Sequence, residues 1–360
     1  MADEIKEHRR SLTKKCGAVS VRFMHPILFK IPIINLPIYS YGVMLGLSLV
    51  VGWYIVMYLG KKDGIPQETL GNCYIWTAVS AIIGARLLYI ITNWSDFTNA
   101  SLIDMINVRK GGLVAYGGFL GGFIGSWIYL KTKKIRLLPW ADVVVPSLGS
   151  GLGITRIGCL LYGCDYGVPI PQNASSFIKS IGIQFPNWSQ RFPELTEQFK
   201  QGVGCMTGPF HGAPAFHHHV REGLVALGDA ASMPLYPTQI MEIINGWLAF
   251  GLTMLVKSKT RFRGQTFLVF TAYYGITRTL FEMLRGDTQR GGIGILSTSQ
   301  IVGISTFLAA AVAWFFLAKR AKANPQAAMS LGQGIDTGTI TPSKSPAGRS
   351  HKKKKKKSNK

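Results

Sequence analysis

Stretches of about 20 predominantly apolar residues recur along the chain, and no other feature restricts its fold so severely. A run of that length spans the hydrocarbon of a bilayer as a helix, which satisfies its own backbone polar groups where no water can. The runs cover Leu36 to Leu59, Leu70 to Thr92, Gly111 to Leu130, Leu137 to Tyr162, Pro237 to Val256, Gly264 to Leu284 and Ser299 to Ala318. The expected fold class is an all-α polytopic membrane protein with seven transmembrane helices and one extracytoplasmic insert. Composition points the same way: 47% of the 360 residues are hydrophobic and only 16% are charged, a balance unlike that of a soluble globule.

The runs divide the chain. Residues 1–35 form an N-terminal arm and a segment whose prolines Pro26 and Pro32 forbid a continuous helix, which suits the membrane surface. Residues 36–162 hold four spans, residues 163–236 a hydrophilic insert, and residues 237–320 three more spans. Residues 321–360, ending in the basic run His351 to Lys357, read as a disordered basic tail lying on anionic membrane lipid. The net charge of +23 sits largely in loops and termini, so nucleic acid is not the expected partner. The polar, basic first 20 residues hold no apolar core of a cleavable signal peptide. Basic clusters (Lys61 and Lys62, Lys131 to Arg136, Lys257 to Arg263, Lys319 and Arg320) follow every second span. The positive-inside rule makes their side cytoplasmic, with the N-terminus outside and the C-terminus inside. Lys6, Arg9, Arg10, Lys14 and Lys15 in the arm run against that assignment.

Charge within the apolar runs is the chemical signal. Arg156 stands in GLGITRIGCLLYGCDYG, Gly151 to Gly167, and other runs carry Arg86, Asp142, Glu242, Arg278 and Glu282. A guanidinium does not lose its proton, so in hydrocarbon it costs a few kcal/mol or more, roughly, unless an anion or water receives it. Two readings follow: ion pairs and snorkelling side chains that serve structure alone, or a cavity whose arginines hold a phosphate while the acids position them. Arg278 and Glu282 lie four residues apart, on one helix face. The spans hold no histidine for a serine–histidine protease, and no inverted repeat speaks for a transporter. Cys16, Cys73, Cys159, Cys164 and Cys205 match no zinc spacing, so neither a metal site nor a cofactor is expected, and Cys159 and Cys164 read as packing residues. His211, His217, His218 and His219 read as part of a solvated loop.

Over residues 24 to 318 the chain resembles the prolipoprotein diacylglyceryl transferases. The resemblance rests on blocks in order: His25 to Phe29 with Tyr39 to Gly42, Gly84-Ala85-Arg86, Gly111 to Leu113 with Tyr116-Gly117-Gly118, and Arg156-Ile157-Gly158 through Tyr166-Gly167. Pro237-Thr238-Gln239 with Glu242, Tyr274-Gly275 with Arg278, Glu282 and Arg285-Gly286-Asp287, and Leu296-Ser297 with Ser299-Gln300 complete it. It implies a bacterial inner-membrane enzyme that moves the diacylglyceryl group of phosphatidylglycerol onto the lipobox cysteine at a prolipoprotein signal peptide and releases glycerol phosphate. Carried onto this chain, it gives Arg156 and Arg278 the phosphate and leaving group, Glu282 the orientation of Arg278, and Glu242 the tuning of the cavity. Tyr41 and Gly167 would shape the lipid pocket, and Arg86, Gly117, Gly118 and Cys159 would add to substrate binding. Tyr116 stands where many members carry a histidine, Cys159 where many carry asparagine, and Cys164 where an acid is frequent. Tyr116 would then donate a hydrogen bond to phosphate, and the base is left open. A transporter or flippase for an anionic solute would use the same buried arginines.

Overall fold

The computed structural model describes residues 19–20, 24–32, 36–98, 101, 105, 112–188, 213–287, 292–294 and 296–332. The arm, His211, Cys16, Cys205 and the basic run beyond 332 lie outside these residues. The first apolar run enters its helix later than expected, because Leu36–Tyr39 pairs antiparallel with Ile27–Ile31. Helix α1 (Ser40–Lys62) follows, then α2 (Gln67–Thr92), α3 (Ala115–Thr132) and α4 (Leu137–Tyr162). After the short α5 (Ser176–Ser180) and α6 (Pro214–Arg221) come α7 (Thr238–Ser258), α8 (Gln265–Glu282), α9 (Thr298–Ala323) and the short α10 (Pro325–Met329).

Among the described residues, five helices, α1, α2, α4, α7 and α9, are long and apolar enough to cross a membrane. Helices α3 and α8 have 18 residues each and belong to the same bundle. Helix α4 packs on both α1 and α7, α2 on α3, and α8 on α9. Small residues set two of these distances. A Cβ on Gly84 would lie 2.8 Å from Cα of Gly121 across α2 and α3, and one on Gly246 would lie 2.7 Å from Cα of Gly153 across α7 and α4. Val50, Ile83, Leu255, Phe315 and Phe316 face outward, as helices surrounded by lipid require.

Helix α4 runs unbroken through Pro146 and carries its two charges about 21 Å apart, 14 residues at 1.5 Å. Asp142, which the sequence grouped with a polar cavity, instead caps α8. Its carboxylate accepts from the N–H groups of Gly264 (2.7 Å) and Phe267 (2.9 Å), satisfying two donors that a helix start leaves open. The same end of the bundle is stitched by Asp63, which pairs with Lys257 (2.6 Å) and Arg263 (2.5 Å).

The tail does not become disordered at residue 321. Helix α9 continues to Ala323, α10 follows, and the chain folds back across the loops at that end. Arg136 donates from its backbone to Leu331 O (2.9 Å) and from Nη1 to Ala327 O (3.0 Å), Arg263 N donates to Ala328 O (3.0 Å), and Ile135 bridges to Gly332. Leu331 is buried among Leu130, Ile135, Trp140 and Val143.

At the opposite end, the described part of the hydrophilic region has a core of its own. Met24, Tyr166, Ile183, Phe185, Trp188, Ala213, Ala215 and Leu235 are buried together, and Ile183 and Leu235 exchange backbone hydrogen bonds. The solvated-loop expectation fails for the histidines here. His217, His218 and His219 lie on α6, and His219 is only 1% exposed, its Nδ1 accepting from Met233 N at 3.3 Å. Pro214 starts that helix at a favoured position and Phe216 anchors it, which turns His219 inward. Burial, with His218 beside it, pushes the His219 pKa down to about 4.

Candidate active site

The site is built where α4 stops. Gly163, with φ of 81°, takes the left-handed conformation that ends the helix, and Cys164 N then donates back to Cys159 O at 3.2 Å. Asp165 is also left-handed, with φ of 57°, unusual for a residue with a Cβ. The start of α7 holds the turn: Thr238 Oγ1 donates to Asp165 O (3.0 Å) and Gln239 Nε2 to Cys164 O (2.9 Å). The next residues run beside the end of α8, with Val168 N donating to Leu284 O and Gly286 N to Tyr166 O, each at 2.9 Å. Gly167 bridges to Arg285 there, and a Cβ at 167 would meet Tyr236 O at 2.5 Å. This antiparallel contact delivers Arg285 to Asp165.

Three arginines and four carboxylates meet as a result. Asp165 accepts from both Arg156 and Arg285, one through each oxygen. Glu242 pairs with Arg156 Nε at 2.6 Å, and its other oxygen stands 3.6 Å from Arg285 Nη1 and 3.8 Å from Arg278 Nη1. Glu282 holds Arg278 Nη2 at 2.9 Å, and Ser299 Oγ accepts from the same nitrogen at 3.0 Å. Asp287 takes Arg285 in a bidentate grip at 2.9 and 2.7 Å. Burial works against the Arg285 charge, but Asp287 and Asp165 outweigh it and move the pKa up. Such a network orients every guanidinium while leaving directed N–H groups over. Among the described residues, Arg278 Nη1 and Arg285 Nη1 are buried with no hydrogen-bond acceptor. An open cleft lies beside Arg278, lined by Leu152, Arg156, Glu242, Asn245 and Tyr274 among others.

The residues singled out from sequence do not all gather here. Arg156, Arg278, Glu242, Glu282 and Cys159 do, Cys159 Sγ lying 3.6 Å from Arg156 Nη1. Tyr41 packs at the rim, where a Cβ on Gly158 would meet its Cα at 3.1 Å. Tyr116 comes from α3 and lies within electrostatic reach of Tyr274. Gly117 and Gly118 face Gly84, Ala81 and Ala85 of α2, so they set helix packing. Arg86 is also elsewhere: it donates to Met105 O (2.6 Å) and Gly112 O (3.1 Å) and lies over the rings of Tyr89 and Phe97. Sequence reasoning gave no role to Asp165, Arg285 or Asp287, which fall outside the apolar runs where charge draws notice. Cys159, Cys164 and Asp165 bring possible ligand atoms within 4.8 Å of one another, although both Asp165 oxygens are already engaged by arginine.

A helical multi-pass membrane protein with a buried arginine–carboxylate network at one end is the class that fold and site define. Residues 26–316 match the family described as prolipoprotein diacylglyceryl transferase, and the chain belongs to that family. It is 35% identical over 276 residues to phosphatidylglycerol–prolipoprotein diacylglyceryl transferase 2 of Clostridium perfringens, covering 76% of this chain and 88% of the relative. The phosphatidylglycerol–prolipoprotein diacylglyceryl transferase of Clostridium tetani is 31% identical over 288 residues, 79% of this chain and 94% of its own length. The transferase of the same name from Finegoldia magna is 26% identical over 281 residues, 78% of this chain and 91% of its own.

Proposed function

We propose that this chain transfers the diacylglyceryl group of phosphatidylglycerol to the lipobox cysteine of prolipoproteins, the first step of lipoprotein maturation. The lipobox thiolate attacks the glyceryl carbon that carries the phosphate, a C–S bond forms, the C–O bond breaks and glycerol phosphate leaves. Negative charge builds on the leaving phosphate, so the useful protein groups are fixed donors aimed at it. The observation that carries the reading is the acceptor-free Nη1 of Arg278, in the wall of a cleft that Arg156 also lines. Arg156 and Arg278 bind the phosphate, Glu282 and Glu242 keep the guanidiniums in position, and Tyr116 donates a hydrogen bond from the neighbouring helix. Tyr41 and Gly167 shape the lipid pocket, and Arg285 joins the phosphate cradle.

In this reading α3 and α8 also cross the membrane, for seven spans in all; 18 residues of helix reach about 27 Å. The pairing of Asp63 with Lys257 and Arg263, and the bonds of Arg263 and Arg136 to residues 327–331, gather the basic loops at one end. Positive-inside bias makes that end cytoplasmic, puts the arginine network and residues 163–236 outside, and sets the basic tail on anionic lipid of the inner membrane.

The test is thioether formation on a lipobox peptide with phosphatidylglycerol in detergent. Arg156→Lys and Arg278→Lys are expected to lose roughly 100- to 1,000-fold while remaining folded, and Tyr116→Phe less. Wild-type protein that transfers nothing from phosphatidylglycerol overturns the reading and favours passage of an anionic solute.

A further inference from the structure

We propose that Cys159 and Cys164 form a reversible oxidation site, an intramolecular disulfide that disarms the arginine network beside it. The argument starts from the way α4 ends. In a helix stop with a left-handed residue at Gly163, the residue after it folds back over the one four positions before it, and the two side chains commonly make an apolar contact. Here those two positions are Cys164 and Cys159, and the backbone bond that defines the fold-back, Cys164 N to Cys159 O, measures 3.2 Å. The sulfurs lie within 4.8 Å of each other, so rotation of the side chains, with the backbone already closed, brings them to a bond of about 2.05 Å. Neither cysteine is in a disulfide, and Cys164 is the more accessible of the two, Cys159 being 3% exposed.

The chemistry balances with a small disulfide oxidant such as oxidised glutathione. The neighbouring Cys159 and burial push the Cys164 thiol pKa up, so the exchange is run in alkaline solution. The Cys164 thiolate formed there attacks one sulfur of the oxidant and expels one glutathione thiolate, and Cys159 then attacks the Cys164 sulfur of the mixed disulfide and expels the second. Two protein thiols give up two protons and two electrons, and the oxidant becomes two glutathione thiols. The consequence lies one residue away. Cys159 Sγ donates to Asp165 Oδ2 at 3.2 Å and lies 3.6 Å from Arg156 Nη1. Oxidation removes that S–H donor, pulls the sulfur toward residue 164, and ties down the turn whose next member, Asp165, clamps both Arg156 and Arg285.

The site itself is independent of the proposed activity; its effect on transfer rests on that reading, so two readouts are needed. Trypsin cuts after Arg156 and Lys179, and the peptide between them holds Cys159 and Cys164 and no other cysteine. Full-length protein is incubated with oxidised glutathione, capped with N-ethylmaleimide, digested and weighed. The expected peptide is lighter by two hydrogens and uncapped, and regains both caps after dithiothreitol. Transfer by the oxidised wild type is expected to fall about tenfold or more and to return on reduction, while Cys164→Ala keeps its rate throughout. A peptide that carries two caps after oxidation overturns the proposal, and so does equal loss of rate in Cys164→Ala. Protein that forms the disulfide but never transfers lipid in either state fails the proposed function instead.

Discussion

Asp165 is the residue on which the most geometry depends. It holds two guanidiniums at once, its own carbonyl is held by Thr238, and its backbone is left-handed. Asparagine fits that conformation but keeps only one acceptor oxygen and no charge. Asp165→Asn is therefore expected to release one arginine and cost about 100-fold in transfer, the scale of a misplacement near 1 Å. The loss belongs in kcat, with the melting temperature little changed; wild-type kcat in this variant sinks the clamp role. Arg156 and Glu242 were legible from sequence because charge inside an apolar run has to be explained. Asp165 and Arg285 were not. They meet across 120 positions through a strand-like contact that leaves no local pattern, and both lie just beyond helix ends.

Among the elements, α6 tests how the described part of the hydrophilic region is held. His219 is neutral and enclosed in the fold, with its pKa down at about 4, against an ordinary value of about 6.5 when unfolded. The unfolded chain thus takes up the proton first. The contribution is whole above pH 6.5 and drains away as pH falls toward 4, with an upper bound of about 3 kcal/mol. Wild type is expected to lose more melting temperature between pH 7 and pH 4.5 than His219→Gln does; equal losses remove His219 as the cause. Helix α6 was unreadable because a run of three histidines looks solvated until Ala213, Ala215 and Phe216 are seen to be buried around it. Asp142 teaches the converse. A carboxylate in an apolar run signalled a cavity, yet its partners are the N–H groups of another helix, 122 residues away. The long apolar helices themselves were plain, since their only requirement is length and hydropathy.

For the whole molecule, the two ends of the bundle do different work. One end carries the arginine network, while the other is closed by Asp63, Lys257, Arg263 and the returning residues 325–332. Removing residues 324–360 exposes Leu331's partners and is expected to put the melting temperature several degrees, roughly, below that of protein lacking only 333–360, for the 1–2 kcal/mol of a buried leucine and its hydrogen bonds. Equal melting temperatures for the two truncations rule the closing role out. That closure also fixes a point in time. Residues 325–332 follow α1 to α9 in the order of synthesis, so the loops they bridge are on the far side of translation from their own clasp. This end of the bundle closes only once residues 325–332 have left the ribosome, and a chain released early is marked by an open end.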